Sequence, residues 1–249
     1  MANWSDPRSG PQPGIPGFGG ATVARSEAFD AGLRRYMLSV YNYMASGVLL
    51  TGIVALLFAS SGLAYQILAG PGILKYVIMF APLAFVMVLS FGIGRLSTVA
   101  AQALYWSYAA VMGLSLSSIF LVYTGTSIAQ TFFATAAAFA GLSLFGYTTK
   151  KDLSGFGTFL IMGVVGLLVA SLINLFLRSS VMDLVISGVG VLLFAGLTAY
   201  DTQKIKSIYA QVAGTDMMGK SVVMGALNLY LDFINMFMFL LRFMGGNRN

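Results

Sequence analysis

Seven apolar runs, each close to the length of one bilayer crossing, occupy most of this chain and leave it few ways to fold. A spanning helix takes roughly 20 predominantly apolar residues. Runs of about that length lie near Tyr36–Ala59, Tyr76–Gly94, Val99–Tyr123, Ile128–Tyr147, Phe156–Leu177, Leu184–Tyr200 and Val222–Leu241. Of the 249 residues, 58% are hydrophobic and 9% charged, whereas a soluble domain carries about 25% charged residues. Such a chain cannot cover itself with charge, so it reads as an all-α membrane protein, a bundle of seven transmembrane helices. Pro82, inside the second run, is predicted to kink it or remove one helical hydrogen bond. The fourth run is dense in small residues (Ala134, Ala136, Ala137, Ala138, Ala140, Gly141), which predicts close helix–helix approach there.

The chain divides into a Pro/Gly-rich leader over residues 1–24, expected to be disordered, and a seven-helix transmembrane domain over residues 25–249. The leader holds Pro7, Pro11, Pro13 and Pro16 and has no apolar core of signal-peptide length, so it is expected to stay attached. The net charge of +6 does not point to nucleic acid, because the basic residues are scattered between apolar runs. They report topology instead. Seven spans put ten Lys and Arg on the N-terminal side and four (Lys75, Arg178, Arg242, Arg248) on the other. The positive-inside rule then predicts a cytoplasmic N-terminus and an external C-terminus.

The chain has no cysteine and no histidine. Disulfides, thiolate catalysis, zinc–thiolate and iron–sulfur sites, histidine-bound haem or metal, and Ser–His catalysis are therefore excluded. No organic cofactor is implied. A retinal-binding bundle would need a lysine in the seventh helix, and none lies between Val222 and Leu241.

Of the eight acidic residues, six sit before the first helix, in loops or at a helix start. The other two are Asp201, at the end of the sixth run, and Asp232, in the middle of the seventh. A carboxylate at the bilayer centre costs about 2.5–3.5 kcal/mol on insertion scales, so its presence asks for a function. On the seventh helix Gly225, Asn228, Asp232, Asn235, Phe239 and Arg242 recur at steps of three and four and share one stripe. On the sixth, Ser187, Gly190, Phe194, Thr198 and Asp201 do the same. The stripes of two consecutive antiparallel helices can meet, provided the sixth helix continues through Ile205 and Ile208 with Lys204 and Lys206 reaching outward. That continuation is predicted. Arg95, between the second and third spans, is either a partner for Asp201 or an ordinary positive-inside anchor.

Two nearby carboxylates in a poorly solvated place cannot both ionise cheaply. A shared proton would tie the helices together and its loss would push them apart, which makes a pH switch. Asp201 and Asp232, with the amide oxygens of Asn228 and Asn235, backbone carbonyls and water, could also form a weak Ca²⁺ site, being too few for a tight one. The bland alternative is that both aspartates merely hydrogen-bond Asn, Thr or Tyr neighbours and lock the bundle. Tyr105, Tyr108, Tyr200 and Tyr230 read as packing or interface residues.

Leu197–Lys204 reads Leu-Thr-Ala-Tyr-Asp-Thr-Gln-Lys, and Ala226–Arg242 reads Ala-Leu-Asn-Leu-Tyr-Leu-Asp-Phe-Ile-Asn-Met-Phe-Met-Phe-Leu-Leu-Arg. Both resemble the last two helices of the transmembrane Bax inhibitor motif family, in its bacterial branch. Thr148–Ser154 resembles that family's loop between the fourth and fifth helices, and Arg95 with Gly113 its second-to-third helix junction. The resemblance implies seven helices wrapped around a central seventh, in a bacterial inner membrane. It implies a pH-sensitive calcium leak governed by a di-aspartyl sensor, carried here by Asp201 and Asp232, with Arg95 as latch; Asn228, Asn235 and Thr198, read from the helical spacing, form the supporting polar stripe. It also implies an alternative, that the protein modulates a membrane-bound AAA quality-control protease without transporting anything. An enzyme reading, intramembrane aspartyl proteolysis, also needs two aspartates on consecutive helices. Tyr200-Asp201 suits it, but Leu229-Tyr230-Leu231-Asp232 stands where Gly-x-Gly-Asp is required, and no proline follows Pro82. The chain is therefore read as a non-enzyme.

Overall fold

The computed structural model describes residues 18–246, with side chains from residue 27 onward. Eight α-helices follow in order: α1 Phe18–Ser60, α2 Leu74–Gly92, α3 Thr98–Leu116, a single turn α4 Ile119–Val122, α5 Gly125–Thr148, α6 Ser154–Leu177, α7 Ser180–Val212 and α8 Met217–Met244. A short π-helical turn, Tyr65–Ala69, joins α1 to α2. With α4 continuing α3 as Thr98–Val122, seven helices are long and apolar enough to cross a membrane. Most of the expected leader, residues 1–17, lies outside the described residues, and α1 already begins at Phe18.

The helix starts follow local chemistry. Ser97, Thr124 and Ser179 each accept a backbone N–H of the first turn that follows, satisfying a donor that the helix itself cannot. Pro82 is buried within α2, which runs unbroken from Leu74 to Gly92, so the proline costs a hydrogen bond there and not the helix.

α8 is the axis of the bundle. It packs against α7, α1, α5 and α3, while α2 rests on α3 and α6 on α7. The core gathers around it through Val223, Leu227, Leu229, Tyr230 and Met236, all buried. This explains why α8 is apolar on the surfaces away from its polar stripe: protein covers it on nearly every side. The peripheral helices instead turn wide apolar faces outward, such as Phe156, Phe159 and Met162 of α6, as a hydrocarbon surround requires.

The small residues of α5 behave differently from expectation. Ala134, Ala137, Ala138, Ala140 and Gly141 face outward, and the packed stripe is Thr131, Thr135, Phe139, Ser143 and Gly146. Close approach occurs at Gly146 alone of these, where an added Cβ would run into the backbone of Ala199 on α7. Ala136 and Ala140 help line a groove of about 820 Å³ between α1 and α5, floored by Phe139 and Phe233. Small side chains there leave room for a furrow between the two helices and are not the seam of a close contact.

Candidate functional site

α7 continues to Val212, so Asp201 stands well inside a 33-residue helix and not at its end. Of the two lysines that follow, Lys206 folds back, its Nζ donating to the Tyr147 carbonyl at 2.8 Å and lying over the Tyr147 ring. Lys204 is exposed and lies over the Tyr200 ring.

α7 and α8 run antiparallel, and their contacts set the register around the two acids. At one end Arg242 Nη1 lies 3.7 Å from Asp183 Oδ1. Next, Phe239 packs on Gly190 and stacks on Phe194, ring centroids 5.8 Å apart. At the other end Gly225 meets Ile205. Between these pairs lie Asp201 and Asp232, and each carboxylate stands in the other's electrostatic field. Asp232 is 4% exposed, and its Oδ2 is buried with no hydrogen-bond partner. Asp201 is half-buried.

The supporting residues are mostly committed elsewhere. Thr198 is fully buried beside the pair but donates to the Phe194 carbonyl at 2.8 Å. Asn235 donates to the Leu231 carbonyl in its own helix at 2.8 Å. Asn228 is half-buried and lines a separate small cavity. Arg95 is exposed in the turn between α2 and α3. It makes no ion pair with Asp201, since the salt bridge among the described residues joins Arg242 to Asp183. The cation whose charge reaches Asp201 is Lys204, one turn along the same helix; residues three apart are neighbours on a helix surface.

A second polar cluster lies off both stripes. Tyr41 of α1 shares a hydrogen bond with Ser143 of α5 at 2.6 Å, and Ser143 with Thr202 of α7 at 3.0 Å. Thr202 also donates to the Thr198 carbonyl at 2.7 Å. Its only sequence signal was the step of four from Thr198 to Thr202. The loop before α6 is stitched to the same stretch of α7: Gln203 donates to the Lys151 carbonyl at 2.9 Å and accepts the Leu153 N–H at 2.8 Å. In that loop the Ser154 hydroxyl and backbone N–H hold the Asp152 carboxyl below the usual carboxylate range. Tyr105, Tyr108 and Tyr230 are fully buried packing residues, with Tyr230 hydrogen-bonded to Thr51 at 2.6 Å.

Fold and site together define an all-α, seven-span membrane bundle that carries two carboxylates at the contact of its central helix with a neighbour. A family model described as inhibitor of apoptosis-promoting Bax1 matches residues 33–249, and the chain belongs to this Bax inhibitor family. A protein of Rickettsia prowazekii is 48% identical over 229 residues, covering 92% of this chain and 96% of the relative. One from Caulobacter vibrioides is 48% identical over 231 residues, 88% and 91% of the two chains. YbhL of Escherichia coli, which is named an inner membrane protein, is 46% identical over 220 residues, 88% and 94%.

Proposed function

We propose that the protein is a pH-sensitive cation leak of a bacterial inner membrane, passing Ca²⁺ under control of Asp201 and Asp232. The observation that carries this reading is the Asp232 oxygen that is buried without a hydrogen-bond donor while the charge of a second carboxylate, Asp201, acts on its side chain. A structural aspartate would be expected to accept hydrogen bonds from its neighbours, because a buried charge without them costs several kcal/mol. Asp232 leaves that need to be met by a proton or a passing cation. Either one relieves the repulsion across the α7–α8 contact, and the exchange of one for the other is the switch.

Two carboxylates supply few of the six to eight oxygens that Ca²⁺ takes, and no group of three or more acidic, His or Cys side chains gathers among the described residues. Such a site suits an ion in transit and not one held tightly. The cation on α7 in range of Asp201 is Lys204. Arg95 forms no ion pair with Asp201 in this structure, and its part as a latch is what the Arg95→Ala variant below tests. The name of YbhL supports the inner membrane, and the distribution of basic residues supports a cytoplasmic N-terminus.

The test is Ca²⁺ flux against pH in liposomes that contain only the purified protein. Wild type should leak with a sigmoidal pH dependence, Asp201→Asn and Asp232→Asn should flatten it, and Arg95→Ala should shift its midpoint. Flux absent from wild type, or unchanged in both Asn variants, would overturn the leak and leave modulation of a membrane-bound AAA protease as the reading to pursue.

A further inference from the structure

α1 and α5 both pack on α7 and α8 and hardly on each other. The gap between them is the furrow of about 820 Å³, floored by the rings of Phe139 and Phe233 with centroids 5.6 Å apart. It stays open because α5 presents Ala136 and Ala140 to it and α1 presents Ala45, side chains that end at Cβ. One wall runs from Arg34 to Leu49 and the other, in the opposite sense, from Tyr147 back to Phe132. At 1.5 Å per residue each is about 22 Å long. That is the depth of one leaflet, half of the roughly 40–45 Å between the surfaces of a bilayer.

The furrow is charged at one end. Arg34 lines it there, two residues before the first apolar run begins. Lys206 joins that end from α7, its Nζ over the Tyr147 ring and donating to the Tyr147 carbonyl, and an ammonium has two more N–H groups to give. Arg34 forms no ion pair, since Arg242–Asp183 is the salt bridge among the described residues. The acids on the framing elements do not offset this end. Asp30 is exposed one turn before Arg34, Asp152 accepts the Ser154 N–H at 2.9 Å, and Asp201 turns toward α8. Deeper in, the walls are apolar but for the hydroxyls of Tyr41 and Ser143, which bond to each other. Such a space offers water too few partners to hold it.

We infer that the furrow seats one anionic phospholipid from the leaflet on the N-terminal side, its acyl chains along Phe139 and Phe233 and its phosphate at Arg34 and Lys206. Spread over its length, the furrow averages about 40 Å² in section, half of what a helix about 10 Å across occupies. It suits hydrocarbon chains and not a further span. The inference stands apart from the leak: a protein that passes no Ca²⁺ would hold the lipid equally well.

Native mass spectrometry of the full chain, released from nanodiscs of phosphatidylglycerol and phosphatidylcholine in equal parts, should show one retained phosphatidylglycerol per chain. Ala140→Phe, which fills the furrow, should lower that retention at least tenfold. Ala138→Phe, about 200° around the same helix, should leave it unchanged. Arg34→Gln should cut the preference for phosphatidylglycerol over phosphatidylcholine about fivefold, the worth of one arginine beside an anionic headgroup. No retained lipid, retention that Ala140→Phe does not alter, or a headgroup preference indifferent to Arg34 overturns the site. So does a dimer that Ala140→Phe dissolves, which would make a second copy the occupant. Should Ala140→Phe misfold, Ala45→Phe fills the furrow from the opposite wall and decides by the same measurement.

Discussion

Asp201 and Thr202 are consecutive on α7, yet they serve two unlike polar regions. A step of one residue turns a helix by about 100°. Thr202 therefore faces α5, where it joins Ser143 and Tyr41 in a chain of hydrogen bonds. Asp201 turns toward α8 and the field of Asp232. In the first region each hydroxyl has a partner. In the second, a carboxylate oxygen has none. The first is how a bundle in lipid uses polar groups to hold helices together; the second retains polarity that contributes nothing to holding them.

The contrast can be broken by substitutions at four residues. Gly146→Leu should do most damage, because the added side chain meets α7 backbone at Ala199 just beyond Ser143. Overpacking costs about 1–3 kcal/mol and occasionally more, and here the obstacle is backbone, so the variant should melt far below wild type or fail to purify as a folded protein. Normal melting would mean that α5 can slide and that the hydroxyl junction is soft. The sharpest comparison is Thr202→Val against Asp232→Asn. Thr202→Val removes a satisfied hydroxyl and should cost about 1–2 kcal/mol. Asp232→Asn should leave stability unchanged or raise it by about 1 kcal/mol, since a buried carboxylate without a donor becomes a neutral amide. Thermal unfolding followed by Trp106, which packs on Tyr43 and Tyr105, reports both. Equal losses would erase the distinction between the two regions. Smallest is Gln203→Ala, which unties the loop before α6. It should cost about 1 kcal/mol and speed hydrogen–deuterium exchange over residues 149–154 with little change in the core.

Period and length made the seven spans readable, and the same rule that marks a costly buried charge singled out Asp201 and Asp232. The continuation of α7 followed from Ile205 and Ile208, and Ile205 is indeed buried. What a one-dimensional pattern could not resolve is which neighbour a residue meets. Most of the alanines of α5 have the composition of a packing face and lie outside it, because Thr131, Thr135 and Ser143 occupy that face, Thr135 donating back to the Thr131 carbonyl and Ser143 bonding across to Thr202. Asn235 has the right register beside Asp232, but its amide is taken by the carbonyl four residues back. Arg95 belongs to the correct end of the bundle, yet the cation whose charge reaches Asp201 is Lys204, a neighbour that the predicted continuation of the helix already implied at a step of three. The family relation covers the spans and the acids together, so these local differences sit within a shared frame.

The length of α7 has a mechanical consequence. At 1.5 Å per residue, its 33 residues reach about 50 Å, some 20 Å more than a hydrocarbon core of about 30 Å. Near its tip Tyr209 is clasped by the rings of Phe29 and Tyr36 and lies against Gly32, so the stem is gripped by the beginning of α1. Asp201 is eight residues below that clasp, about 12 Å along an unbroken helix. Torque applied to the stem by whatever holds the amino-terminal segment would rotate the acid-bearing face against α8, making the protruding pair a lever on the buried one.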